Sequence, residues 1–183
     1  MDLMEAIKGR RSIRKYKSEA VSEEVLQELM DAVRWSPSWA NTQCWEVIVV
    51  KDSKMKSELA NTLTGTNPAR SSVTEAPVVV VLCGKKAMSG FKKGQPATAK
   101  GDWLMFDTGI AMQTLCLAAH GLGLATVIVG MFDQQKAGEV LGVSENVEVV
   151  AITPLGYPDA QADAPKRKEV SEFVFYEKYP KRQ

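Results

Sequence analysis

The sequence predicts a single α/β domain, and three observations lead there. Apolar residues at helical spacing alternate with short, continuous apolar runs, in the order helices, strand, helix, strand, helix, strand, helix, strand. That alternation suggests an open α/β sandwich. A chain of 183 residues with 45% apolar and 25% charged residues has ordinary globular composition and length for one substantial core. No internal repeat, low-complexity run or linker divides it, so residues 1–183 read as one domain.

Each element has its own local reason. Asp2 with Glu5 three residues on marks a helix start, Leu3, Met4 and Ile7 form its apolar stripe, and Gly9 ends it. Ser22 caps a second helix carrying Val25, Leu26, Leu29, Met30 and Val33, stopped by Ser36-Pro37. Val47 to Val50 reads as a buried strand within Glu46 to Lys51. A third helix is expected from Lys54 to Leu63, with Met55, Leu59 and Leu63 spaced by four, and Gly65 to Pro68 breaks the pattern. Pro77 to Cys83 reads as a second buried strand. Lys85 to Gly101 is polar and lysine-rich, too long for a tight connection, so it is a mobile lid or a solvated loop. Asp102 opens a long helix to about Leu122, apolar on most faces, which places it in the core or in a subunit interface. Thr126 to Gly130 is a third strand, Asp133 to Leu141 a helix closed by Gly142, and Val147 to Ile152 a fourth strand. Thr153 to Pro158 then turns into an extended tail.

Composition excludes several functions. A net charge of +1 argues against a general nucleic-acid surface. Cys44, Cys83 and Cys116 are odd in number, well separated and without a CxxC, which favours buried thiols over disulfides or a metal site. His120, the single histidine, cannot anchor a metal cluster or a Ser-His triad. No apolar run of about 18 residues exists to span a membrane, and no leader segment is visible. The expectation is a soluble cytoplasmic protein.

The most informative stretch is Arg10-Arg11-Ser12-Ile13-Arg14, directly after the first helix. Guanidinium forks match phosphate oxygens, and a neighbouring hydroxyl adds a hydrogen bond. Strand-like alternation puts Arg10, Ser12 and Arg14 on one face. The stretch reads as a grip on a phosphate or carboxylate, against the plainer reading of a solvated basic turn. Two further segments stand out: Ser36-Pro37-Ser38-Trp39-Ala40-Asn41-Thr42-Gln43-Cys44-Trp45, and Lys166-Arg167-Lys168-Glu169-Val170-Ser171-Glu172-Phe173-Val174. Gly121-Leu122-Gly123 follows a helix and is no dinucleotide fingerprint.

In this order and in a chain of this length, the three segments resemble the flavin-dependent nitroreductase family, which includes the iodotyrosine deiodinases. The resemblance implies an α+β fold with a central, mostly antiparallel sheet flanked by helices. It also implies an intertwined homodimer with an extended C-terminal tail and FMN in the subunit interface. Arg10, Ser12 and Arg14 would hold the phosphate and ribityl side, with Arg11 beside them. Arg167 would reach the same phosphate, with Lys168 as a second candidate. The 36–45 segment would cross to the partner's flavin, with Ser38 and Asn41 as contacts and Pro37 and Trp39 as apolar surface. Many members have Pro where this chain has Cys44, so the loop lacks a φ restraint. Ile128, Val129 and Gly130 would pass along the ring, with the Val129 and Gly130 amides toward N5. Asn67 and Arg70 are candidates for the pyrimidine edge.

No general acid, nucleophile or metal ligand stands out, which suits an enzyme whose cofactor performs the redox chemistry. The resemblance implies ping-pong electron transfer from NAD(P)H to a nitroaromatic, quinone or similar electron-poor acceptor. Two alternatives stand beside it. One is a flavin-sequestering protein with little turnover, in which the Lys85 to Gly101 segment would cover the ring. The other is a dehalogenase-type relative, for which a lid fitted to an amino-acid zwitterion is not evident.

Overall fold

The protein is described by a computed structural model covering residues 1–180. Helix α1 (Leu3–Gly9) begins at Asp2, whose carboxylate accepts the Met4 and Glu5 amides while Glu5 reaches back to the Asp2 amide. Ser22 caps α2 (Glu23–Arg34), which buries Leu26, Leu29 and Val33 on one face. Strand β1 (Trp45–Val50) leads to α3 (Ser53–Thr62), capped by Asp52, and to α4 (Arg70–Glu75). Strand β2 (Val78–Lys85) is followed by a small hairpin of β3 (Phe91–Lys92) and β4 (Gln95–Pro96). Helix α5 (Leu104–Gly121), β5 (Ala125–Thr126), α6 (Gln134–Leu141) and β6 (Val147–Gly156) complete the fold. Asp133 caps α6, and Gly142 closes it in the left-handed conformation.

The sheet runs β1-β2-β6-β5, and every strand pair in it is antiparallel. The open α/β sandwich suggested by element order is therefore corrected to α+β. A short apolar run marks a strand but not its direction. Two helices, α3 and α4, separate β1 from β2, and the chain returns beside β1 in the opposite sense. Helix α4 carries no clear apolar period, and its omission hid the reversal.

Strand β2 explains the layering. Val78, Val80 and Leu82 face the core built with α2 and α5, while Val79, Val81 and Cys83 face the core with α3 and α6. Both faces are covered, so β2 reads as an unbroken apolar run. Full burial of a residue such as Leu29 is worth about 1.5–3 kcal/mol.

Four other boundaries are corrected. Strand β1 lies at the sheet edge and is largely half-buried, not a buried strand. Strand β6 runs to Gly156, past the expected turn at Thr153-Pro154. The strand expected over Thr126 to Gly130 is paired only at Ala125 and Thr126, then again at the lone bridge Val129–Ile152. The interruption falls opposite Thr153 and Pro154, and Pro154 has no amide to donate. Finally, the Lys85 to Gly101 segment, exposed over residues 92–100, contains a short hairpin at 91–96 that the sequence pattern does not mark, with Lys93 and Gly94 at positive φ in its turn. It is anchored by Ala97 N–H on Gly90 O at 2.7 Å and Trp103 N–H on Ser89 O at 3.1 Å.

Candidate functional site

The basic segment is fixed from both sides. The amide of Ile13 donates to Thr126 O at 3.0 Å, and Ser12 bridges Thr126 in parallel sense. Ser72 Oγ donates to Arg14 O at 2.8 Å, and the Tyr16 hydroxyl donates to Ile13 O at 2.6 Å. Ile13 is buried between exposed Ser12 and Arg14, as the spacing predicts, and the alternation ends at Lys15, which is exposed, and Tyr16, which is buried. Among the described residues, the guanidiniums of Arg10 and Arg14 make no ion pair and no hydrogen bond, although five ion pairs form elsewhere. Arg11 differs: its Nη1 donates to Lys8 O at 2.6 Å and Arg10 O at 2.9 Å, closing the end of α1. Two free cations and a hydroxyl on one rigid segment suit a phosphate.

A cavity of about 430 Å³ lies beside this segment, walled by Arg10, Arg11, Cys116, His120 and Thr126 and flanked by the tail at Ala160 to Ala162. Burial, then the positive charges of Arg10 and Arg11, hold the His120 imidazole below its ordinary value, favouring the neutral ring. Its Nε2 would lie 2.8 Å from a Cβ on Gly9, so the histidine packs closely against the end of α1.

The bridge to Thr126 leads along the sheet margin. Ile128 and Gly130 are exposed, and Val129 is buried. The Val129 amide donates to Ile152 O at 2.8 Å, so the expectation that it faces a flavin is corrected. The ladder takes that donor, while Gly130 N–H has no partner among the described residues. Asn67 belongs to the same margin: its Nδ2 donates to Met131 O at 3.0 Å and its Oδ1 accepts Ala69 N–H at 3.0 Å. Arg70 is engaged with Asn61 Oδ1 at 2.5 Å and Leu63 O at 3.4 Å.

The 36–45 segment lies elsewhere. Trp39 to Asn41 form one 3-10 turn, and Ala40, Asn41 and Gln43 all have positive φ, at 46°, 55° and 49°. For Ala and Gln this conformation costs roughly 1–2 kcal/mol per residue. Internal bonds hold it: Gln43 N–H donates to Ser38 Oγ at 2.9 Å, and Thr42 N–H to Trp39 O at 3.0 Å. An outside anchor is Asp107, fully buried in the first turn of α5, whose two oxygens each accept Trp39 N–H at 3.1 Å. Sequence reasoning missed Asp107; the available signal was one acid inside an otherwise apolar helix. Cys44 is also fully buried, with Sγ 3.8 Å from Asp107 Oδ2. Burial and then the Asp107 charge push its thiol up to about 11, so it stays protonated and unreactive.

The two halves are far apart in one chain. Trp39 contacts α5 at Asp107, whereas the Arg10 segment meets α5 near His120, about 20 Å along the helix axis at 1.5 Å per residue. The structure thus gathers Arg10, Ser12, Arg14, Ile128, Gly130 and Asn67 along one margin. It does not bring Pro37, Ser38 or Asn41 to them. Arg167 and Lys168 are exposed on the tail and make no ion pair among the described residues. An apolar face is also uncovered: Leu3 is 66% exposed on α1, and Phe106 is 59% exposed on α5. Together with Met105, Ile110 and Leu117 they line a shallow depression. Among the described residues, no helix is long and apolar enough to cross a membrane, and no group of three or more His, Cys, Asp or Glu could hold a metal ion.

Comparison with known proteins gives concordant results. The model of the family described as "Nitroreductase family" matches residues 7–71 and 64–157. A Methanothermobacter thermautotrophicus protein, provisionally named an NADH dehydrogenase/NAD(P)H nitroreductase, is 33% identical over 162 residues, 86% of this chain and 78% of its own. The FMN reductase [NAD(P)H] of Bacillus subtilis is 29% identical over 177 residues, 90% of this chain and 70% of its own. The structure of an FMN-dependent nitroreductase from Clostridium difficile R20291 superposes with a TM-score of 0.81 at 26% identity, covering 97% of this chain and 100% of that one.

Proposed function

The chain belongs to the nitroreductase family, and from that premise we propose that it is a homodimeric NAD(P)H-dependent oxidoreductase that binds FMN between its subunits. Electron-poor small molecules, nitroaromatics and quinones among them, are its acceptors. The observation that carries this reading is the pair of guanidiniums, Arg10 and Arg14, that have no partner among the described residues, on a segment pinned to the margin where Gly130 N–H likewise has none there. Bound FMN supplies the hydride and electron chemistry.

The chain's own residues position and exclude. Arg10, Ser12 and Arg14 take the phosphate and ribityl side, and Arg167 with Lys168 approaches from the tail. Arg11 holds the end of α1 in place behind them. Ile128 and Gly130 follow the ring, and the Gly130 amide is the hydrogen-bond donor available to it. Val129 contributes backbone shape only. Asn67 and Arg70 stand at the pyrimidine edge. Pro37, Ser38 and Asn41 belong to the partner's half of the site, which accounts for their distance from Arg10 within one chain. The uncovered face of α1 and α5 supplies the contact with a second copy. Donor and acceptor occupy one ring face in turn, so the kinetics are ping-pong.

The test is FMN titration of the purified protein by fluorescence quenching, with sedimentation in parallel. The expected result is one FMN per subunit on a dimer. A monomer with no affinity for FMN would refute the reading.

A further inference from the structure

Asp107 is the one fully buried carboxylate among the described residues. No cation pairs with it there. An isolated buried charge is expensive and persists where it is well solvated by donors. Here the donors are the Trp39 amide at 3.1 Å, the Ser89 hydroxyl at 2.5 Å and the Cys44 thiol at 3.8 Å, at the positive end of α5.

Each donor comes from a different part of the loop system. Trp39 opens the strained turn, and Cys44 closes it just before β1. Ser89, itself fully buried, is the base of the β3–β4 hairpin. The carboxylate therefore grips both ends of the 39–44 loop and the hairpin together. A loop with left-handed departures at Ala40, Asn41 and Gln43 keeps that shape only if its surroundings impose it. Among the described residues, Asp107 is the side chain outside the loop that bonds to the strained turn.

We propose that Asp107 is a positioning residue for the cofactor: its buried carboxylate, through Trp39 and Ser89, fixes the shape in which Ser38 and Asn41 are presented to the partner subunit's flavin. The assignment rests on the FMN-binding reading above. It reaches the flavin through the loop and makes no contact of its own. Thr108 is the natural control, because it is equally buried on the next position of α5 and its hydroxyl has no partner.

The test measures the FMN dissociation constant of the full-length protein well below its melting temperature. Wild type is titrated first, and absence of FMN binding there overturns the cofactor reading, not the role of Asp107 within it. With binding established, Asp107→Asn should weaken FMN about tenfold, and Ser89→Ala about threefold, the scale of one or two hydrogen bonds. Thr108→Val should stay within about twofold. A double-mutant cycle with Asn41→Ala separates positioning from damage. If Asp107 acts through the loop, the combined loss is smaller than the product of the single losses. Wild-type affinity in Asp107→Asn, fully multiplicative losses with Asn41→Ala, or an equal loss in Thr108→Val would each overturn the proposal. If Asp107→Asn does not fold, Ser89→Ala in the same cycle decides by the same criteria.

Discussion

The amide of Ile13 donates to the carbonyl of Thr126 at 3.0 Å. This single bond joins the segment bearing Arg10, Ser12 and Arg14 to the chain that continues to Gly130. It turns two stretches more than a hundred residues apart into one margin, the one to which the proposed function assigns the cofactor.

If that margin holds the phosphate, its cations matter individually. Arg10→Ala and Arg14→Ala should each weaken FMN binding by about 1.5–3 kcal/mol, the range for hydrogen bonds to charged groups. Titration calorimetry of each variant checks this, and unchanged affinity in the double variant would remove the phosphate grip. Arg11→Ala should lower the melting temperature first, because Arg11 bonds to carbonyls at the end of α1.

Tyr16 supports the same segment from beneath. Its hydroxyl donates to Ile13 O, and burial, outweighing the nearby Arg14 charge, pushes the phenol far above its ordinary value of 10.0. The unfolded chain therefore loses this proton first, so stability is full below pH 10 and falls as pH rises beyond it. Tyr16→Phe should cost about 1–3 kcal/mol at neutral pH and flatten the alkaline limb. Urea melts between pH 7 and 11 read both effects. An alkaline limb unchanged in the variant would reject the assignment.

The histidine works in the other pH range. Its folded value lies below the ordinary 6.5, so the unfolded chain takes up the proton first and stability falls as pH drops below 6.5. His120→Gln should reduce that slope. Melting curves from pH 7 to 5 would show an identical slope if the ring were free in solution.

Gly84 tests the packing behind Asp107. A Cβ there would overlap the Leu104 side chain, at the first residue of α5. Gly84→Ala should destabilise the fold by about 1–3 kcal/mol through overpacking. Chemical denaturation checks the value.

Most helices were legible because their ends carry local chemistry: Asp2 with Glu5, Ser22, Asp133 and Gly142 all act as the sequence indicates. The alternation of Ser12 and Arg14 against Ile13 was legible for the same reason. Long-range facts were not. Strand direction depended on α4, a six-residue helix without an apolar stripe. The engagement of the Val129 amide depended on which strand lies beside it, and Asp107 draws its meaning from Trp39 and Ser89, both distant in sequence. The stripe of Leu3, Met4 and Ile7 is plain in the sequence, but its exposure is not: the structure leaves it uncovered.

That stripe yields a further prediction. Phe106→Asp places a charge in the uncovered face shared by α1 and α5. On the proposed reading, in which both chains build each site, it should shift the protein toward monomer and lose FMN in the same step. Sedimentation with absorbance detection at the flavin band follows both species. A dimeric, fully loaded variant would put the interface elsewhere.

The proposed activity is electron transfer from a nicotinamide donor through bound FMN. The most direct measurement is an anaerobic titration of the FMN-loaded protein with NADH and with NADPH, followed by a quinone or nitroaromatic. The expected result is loss of the oxidised flavin band with at least one donor and its return on adding acceptor, with parallel lines in steady-state double-reciprocal plots. Bound FMN that neither donor reduces would contradict it and identify a flavin-sequestering protein instead.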